Sequence, residues 1–247
     1  MDKDTTEETT QKDQRAKKWN LAYTARTRQI VPGLILGDVE ASYKREMLQE
    51  NHISAIVSLT DARWVWWRSI TRDAGVPEHR HRWVQCVDSS TQDLLVHMGD
   101  VCDCIDRVAR PALVSLRALP VQCGDRTDND NDGDGDLEQR GAASEAVLVH
   151  CDLGISRSPT MIIAYLMRKL NMPYAEVLQF VQSKQKVKPS ANLTRQLQVW
   201  EEVGFQVWED AERTVPKPAY RAFLEHREGL LRERGLTENE PLALLNL

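Results

Sequence analysis

The chain has 247 residues, 41% hydrophobic and 28% charged, with a formal net charge of −5. This fits an ordinary soluble globular protein, long enough to bury one sizeable core and carry extensions. No run of 18 apolar residues predicts a membrane span, and the five cysteines, odd in number and without a CxxC pair, suggest neither a disulfide framework nor a zinc site.

Residues 1–26 open with MDKDTTEETTQKDQRAKK, too polar to fold and unlike a signal peptide. They read as a disordered tail, and the expected setting is cytoplasmic and/or nuclear, where thiols stay reduced. Gln29–Gly37 reads as two short strands around a Pro-Gly turn. Asp38 is placed to cap a helix running to about Glu50. Ile53–Leu59 is a β-branched apolar run, hence a buried strand, and Arg82–Val87 is a second. Between them, residues 63–83 are basic and Trp-rich; they either frame a pocket that reads acidic phosphopeptides or form a packed insertion with its arginines in solvent. Asp93–Arg110 has helical apolar spacing. Ala146–Val149 is a third strand, and Pro159–Leu170 is apolar almost all round, so a core helix. Helices are expected over Tyr174–Lys184, Asn192–Val203 and Lys217–Arg234. Strands alternating with helices predict an α/β fold with a central, mainly parallel sheet flanked by helices.

Residues 124–141, GDRTDNDNDGDGDLEQRG, interrupt this pattern. From Asp125 to Glu138 seven acids and one arginine leave a net −6, so the rest of the chain carries about +1. Asp128, Asp130, Asp132 and Gly133 match the start of a calcium loop, but Gln139 stands where a bidentate Glu is needed. A solvated, disordered insert is the expectation, and no metal is assigned.

The densest chemistry lies in VLVHCDLGISRSPT, residues 147–160. A strand runs into His150 and Cys151, then a glycine-containing turn, then Arg157 and an apolar helix. Free N–H groups and the dipole at such a helix start make an anion site. The same field favours thiolate over thiol. Arg157 offers a planar fork for two phosphate oxygens, and Gly154 lets the backbone curl close to the anion. A thiolate facing a bound phosphate is a nucleophile aimed at phosphorus.

His150, Cys151, Gly154, Arg157 and Ser158 complete a His-Cys-x-x-Gly-x-x-Arg-Ser loop. On it, the chain resembles the dual-specificity branch of the cysteine-dependent protein tyrosine phosphatases. AYLM at Ala164–Met167, QLQVWE at Gln196–Glu201 and VPGLILGDVEAS near the start extend the likeness over about residues 28–204. No rhodanese-like domain fits before residue 28, so the resemblance is to the small atypical members. It implies that Cys151 is the nucleophile, that the backbone of Asp152, Leu153, Gly154, Ile155, Ser156 and Arg157 cradles phosphate, that Ser158 stabilises the thiolate, and that His150 orients the loop. The family's general acid falls on Asp88, with Asp93 five residues on as a helix N-cap and Asp61 as a rival acid.

Two departures stand out. Where the family often has Pro-Asn-x-x-Phe bracing the loop, this chain has PSANL, so Ser190 would have to give that support with a shorter reach. Asp152 puts a carboxylate directly after the nucleophile, either facing the pocket, where it opposes an anion, or turned outward to cap an N–H. The resemblance implies phosphorylated proteins as substrates, with no cofactor and no nucleic acid. The variable loop positions Asp152, Leu153, Ile155 and Ser156 carry no base, which argues against the alternatives of a phosphoinositide or RNA 5′-end phosphatase. A phosphate-binding scaffold is the remaining alternative. The residues from 205 onward are expected to form a helical extension.

Overall fold

The computed structural model describes residues 25–62, 67–108, 113, 115–120 and 145–237. The polar tail up to residue 24, the acidic insert with its calcium-like pattern, and Cys123 lie outside the described residues.

The sheet contains β1 (Thr27–Val31), β2 (Leu34–Gly37), β3 (Ile53–Thr60), β4 (His81–Gln85) and β5 (Ala146–His150), in the order β1-β2-β5-β3-β4. The β1–β2 hairpin is antiparallel, and every other pairing is parallel. Pro32 and Gly33 make the hairpin turn, and Gly33 takes a φ of +81° that the turn requires. β5 is central and wholly buried, with Gly37 of β2 on one side of His150 and Ser58 of β3 on the other. The residue after β5 therefore emerges at the middle of the sheet's carboxyl edge, where α/β sheets open their ligand crevices.

Helices cover both faces. The larger core lies under α3 (Leu95–Val108), α4 (Arg157–Leu170), α5 (Tyr174–Lys184) and α6 (Ala191–Glu202), and receives Leu34, Leu36, Ala55, Val57, Leu59, Val147 and Val149 from the sheet. α1 (Arg45–Glu50) and α2 (Trp67–Asp73) flank the other face, where a smaller cluster gathers Ile35, Leu48, Ile53, Ile56 and Leu148. The β3–β5 pairing slips between Ile53 and Ala55, so Ile53 and Ile56, three apart, reach the same face. α7 (Pro218–Glu233) starts with Pro at its first turn and packs on α6, burying Tyr220 and Phe223 in the larger core.

The helix expected from Asp38 to Glu50 is split. Asp38 does cap, its carboxylate accepting from the Ala41 amide at 3.0 Å, but the turn it caps is a 3-10 turn, Glu40–Tyr43. Lys44 is extended before α1 begins. The Val39 amide is used elsewhere, bonding the Asp152 carbonyl at 3.2 Å, and the Ser42 hydroxyl donates to the Val39 carbonyl at 2.7 Å, so the segment is pinned to its neighbours. In the Trp-rich stretch, α2 had no counterpart in the sequence reading. Residues 63–66 of that stretch lie outside the described residues; within α2, Trp67 is buried and Arg68 and Arg72 are exposed, while Arg80 beyond it is half-buried and paired with Glu145.

Candidate active site

His150, at the end of β5, is fully buried. Its Nε2 lies 2.6 Å from the Ser58 hydroxyl, which also meets His81 Nε2 at 2.7 Å. Trp67 packs edge-on against the His150 ring at 5.5 Å and donates its indole N–H to Ser42 at 3.0 Å. Burial, with His81 nearby, lowers the His150 pKa to about 3, so the imidazole stays neutral. A neutral, packed ring at this point fixes the strand end from which the next residue projects.

That residue is Cys151, 2% exposed, with the Ser158 hydroxyl donating to its sulfur at 3.2 Å. α4 begins at Arg157, two residues earlier than its apolar pattern shows, so its first free N–H groups belong to the loop itself. Gly154 takes a φ of +68°, and a Cβ there would sit 2.8 Å from the Gly37 carbonyl oxygen. The glycine is thus required by contact with β2. Gly154→Ala should cost about 1–3 kcal/mol of stability, lower the melting temperature by several degrees and reduce turnover of an aryl phosphate. An unchanged melting curve would show that the loop relaxes freely.

Arg157 is 7% exposed. One terminal nitrogen donates to the Leu59 carbonyl at 3.1 Å and the Cys86 carbonyl at 3.0 Å, which sets the plane of the guanidinium. The other is paired with the Asp152 carboxylate. Nε finds no partner among the described residues. The Nε edge is therefore the one that a pair of phosphate oxygens can meet, once Asp152 yields. Of the two expected orientations, Asp152 takes the first: it lines the cleft, and its carboxylate is held there by the Arg157 guanidinium, with no backbone N–H capped among the described residues. The neighbouring Cys86 thiol is pushed up to about 12 by burial, with the Arg157 charge partly opposing, and so stays protonated.

A cleft of about 450 Å³ opens over the loop, lined by Cys151, Asp152, Leu153, Ile155, Ser156 and Arg157. Asp88, exposed on the segment after β4, lines the same cleft, whereas Asp61 does not. Lys188, Pro189 and Ser190 form a further wall. Ser190 supports the loop through its backbone: its N–H donates to the Ser156 hydroxyl at 3.1 Å, while its own hydroxyl has no partner among the described residues. The side-chain brace expected there is not made to the described residues. Asp93 is only a weak N-cap, 3.4 Å from the Val96 amide. Gln196 of α6 takes the free amides of Leu94 and Leu95 instead, at 2.7 and 3.0 Å. Asn192 donates to the carbonyls of Ser89 and Gln92 at 2.9 and 2.8 Å. Neither amide was singled out from the sequence; the only signal was two polar amides one helical turn apart on α6.

Residues 137–203 match the family model of the dual specificity phosphatase catalytic domain. The chain is 30% identical over 170 residues to dual specificity protein phosphatase 1 of Arabidopsis thaliana, covering 68% of this chain and 66% of that one. It is 30% identical over 162 residues to the tyrosine-protein phosphatase yvh1 of Schizosaccharomyces pombe, covering 65% of this chain and 38% of that relative, so it spans only part of either protein. The fold is that of the Yvh1 phosphatase domain from Chaetomium thermophilum, at a TM-score of 0.52 and 24% identity over 73% of this chain and 97% of that one. It is also that of human DUSP28, at 0.52 and 22% over 72% and 93%. The Cys-to-Arg loop at the sheet's carboxyl edge falls inside the matched residues, and on this agreement of sequence, fold and loop the chain belongs to the dual-specificity protein phosphatase family.

Proposed function

We propose that the protein hydrolyses phosphotyrosine and phosphoserine or phosphothreonine in proteins through a cysteinyl-phosphate intermediate. The observation that carries this is the meeting of Cys151, the Nε edge of Arg157 and Asp88 in one cleft. The Cys151 thiolate attacks phosphorus, forming an S–P bond as the P–O bond to the leaving group breaks. Arg157 and the loop amides hold the equatorial oxygens. Asp88 gives its proton to the leaving oxygen and then takes one from water, whose oxygen displaces the sulfur and releases inorganic phosphate. Ser158, already donating to the sulfur, stabilises the thiolate as it departs.

The rim favours a phosphate carried on an apolar body. Leu153 and Ile155 are 66% and 37% exposed at the mouth of the cleft, Arg157 is the only cation within the loop, and Lys188 on the far wall is the one further base lining the cleft among the described residues. A single phosphate beside an aromatic or aliphatic stem suits this better than a polyphosphorylated headgroup. Turnover of phosphotyrosyl and phosphothreonyl peptides should exceed that of phosphoinositides or RNA 5′-phosphates by at least about tenfold in kcat/KM, because Lys188 alone adds a base to Arg157 while Asp152 and Asp88 line the same cleft. The reverse preference would overturn the substrate class, and tight peptide binding without turnover would make the protein a scaffold.

The role of Asp88 has its own signature. Asp88→Asn should slow phenyl phosphate about 10²-fold and dinitrophenyl phosphate by only a few fold, since the acidic phenol leaves unaided. Equal slowing on both would remove Asp88 from the chemistry.

A further inference from the structure

The segment after Asp88 is bonded from outside the residues that match the family model. Tyr220 of α7 donates its hydroxyl to the Asp93 carboxylate at 2.8 Å. Arg227, two turns further along the same helix, donates Nε–H to the Thr91 carbonyl at 2.6 Å. Arg234, just past the helix, reaches the Ser90 hydroxyl at 2.7 Å. From the other side, Asn192 and Gln196 of α6 hold the carbonyls of Ser89 and Gln92, and the Gln92 side chain accepts from the Val87 amide at 3.0 Å. Residues 89–93 are thus each bonded. The Asp88 carboxylate, exposed in the cleft, makes no hydrogen bond to the described residues.

α7 is itself firmly seated. Lys217 donates its backbone N–H to the Val207 carbonyl and its ammonium to the Val203 carbonyl, at 2.9 and 2.7 Å. Tyr220 and Phe223 are 2% exposed, and Arg195 of α6 lies over the Phe223 ring at 6.0 Å. A helix anchored in the core and bonded to the loop's backbone does not solvate the acid. It removes freedom from the chain that carries it.

We propose that α7 is a clamp on the general-acid loop, with Tyr220 and Arg227 as positioning residues for Asp88. The proposal rests on the reading of Asp88 as general acid. Proton transfer to a leaving oxygen needs hydrogen-bond reach in the transition state, and a displacement of about 1 Å at such a site costs about 10²-fold. The phosphate cradle is built on β5 and α4, so loosening α7 should spare substrate binding.

The test uses the full chain with Tyr220→Phe, Arg227→Ala and the double variant, on phenyl phosphate and dinitrophenyl phosphate. The double variant should lose about tenfold in kcat on phenyl phosphate and less than about twofold on dinitrophenyl phosphate, with KM changed less than about twofold on both. Arg227→Lys, which keeps a donor for the Thr91 carbonyl, should recover most of the Arg227→Ala loss. Equal slowing on both substrates, or no recovery by Lys, would mean that α7 acts only on stability, and the clamp is rejected. Asp88→Asn on the same two substrates separates the failures. If it shows the selective loss and the α7 variants do not, only the clamp falls; if Asp88→Asn lacks it, the acid assignment falls and the clamp with it.

Discussion

Cys151→Ser should abolish turnover while the protein still binds inorganic phosphate. The hydroxyl of serine is a far weaker nucleophile than a thiolate and ionises many units higher, so the first step loses its attacking group. Binding, by contrast, depends on Arg157 and on the start of α4, neither of which the substitution touches. Activity on an aryl phosphate should fall by more than about 10⁴-fold, the scale at which loss of a nucleophile leaves only residual catalysis. Phosphate protection against thermal unfolding should persist. Residual turnover of a few per cent would reject Cys151 as nucleophile. The other three described cysteines provide an internal contrast: burial pushes Cys86 and Cys102 up to about 12, so neither is a thiolate at neutral pH, and burial also raises the half-buried Cys104. Iodoacetate should therefore label Cys151 ahead of all three.

Local pattern carried much of the fold. The apolar runs of β3 and β5 are buried along their whole length, and α5 begins and ends where its periodicity does. The loop between β5 and α4 was legible because its chemistry is contiguous: nucleophile, glycine and arginine lie within seven residues. What escaped was set by partners far away in sequence. The Asp38 helix broke because its amides and hydroxyls bond the Asp152 loop and each other. From its neighbours alone Asp93 reads as the cap, and it does accept from the Val96 amide, but Gln196, about a hundred positions on, takes the Leu94 and Leu95 amides, and Tyr220 bonds the other carboxylate oxygen. Burial, despite these donors, raises the Asp93 pKa. The α7 contacts are longer still in range, Arg227 reaching back 136 positions. Neither periodicity nor capping rules report such pairs. Asp152 belongs to the same class on a smaller scale, since its capture by an arginine five residues on depends on a guanidinium plane fixed by two distant carbonyls, one in β3 and one just after β4.

That plane makes Arg157→Lys a severe change despite the kept charge. Arg157 divides its donors between two tasks: one nitrogen is spent on the Leu59 and Cys86 carbonyls, and the Nε edge is left for the ligand. A lysine has one ammonium and cannot do both. If it bonds the carbonyls, the equatorial oxygens lose two charged donors; if it faces the phosphate, two buried carbonyls lose their partner. Loss of one transition-state donor costs about 10²–10³ in kcat, so Arg157→Lys should lower kcat/KM by about 10³-fold and weaken vanadate binding in parallel. A loss smaller than about tenfold would show that charge alone suffices. Asp152→Asn should move binding the other way. In the free protein its carboxylate, 47% exposed, occupies a guanidinium nitrogen that the phosphate needs. An ion pair open to water on one side is worth about 1 kcal/mol, so freeing the arginine should tighten vanadate binding by about threefold to tenfold. The gain should shrink as salt is raised, because the carboxylate removed also repels the incoming anion through solvent. Unchanged vanadate affinity at low salt would mean that Asp152 leaves Arg157 at no cost when the anion arrives, and that its carboxylate does not govern which phosphates enter.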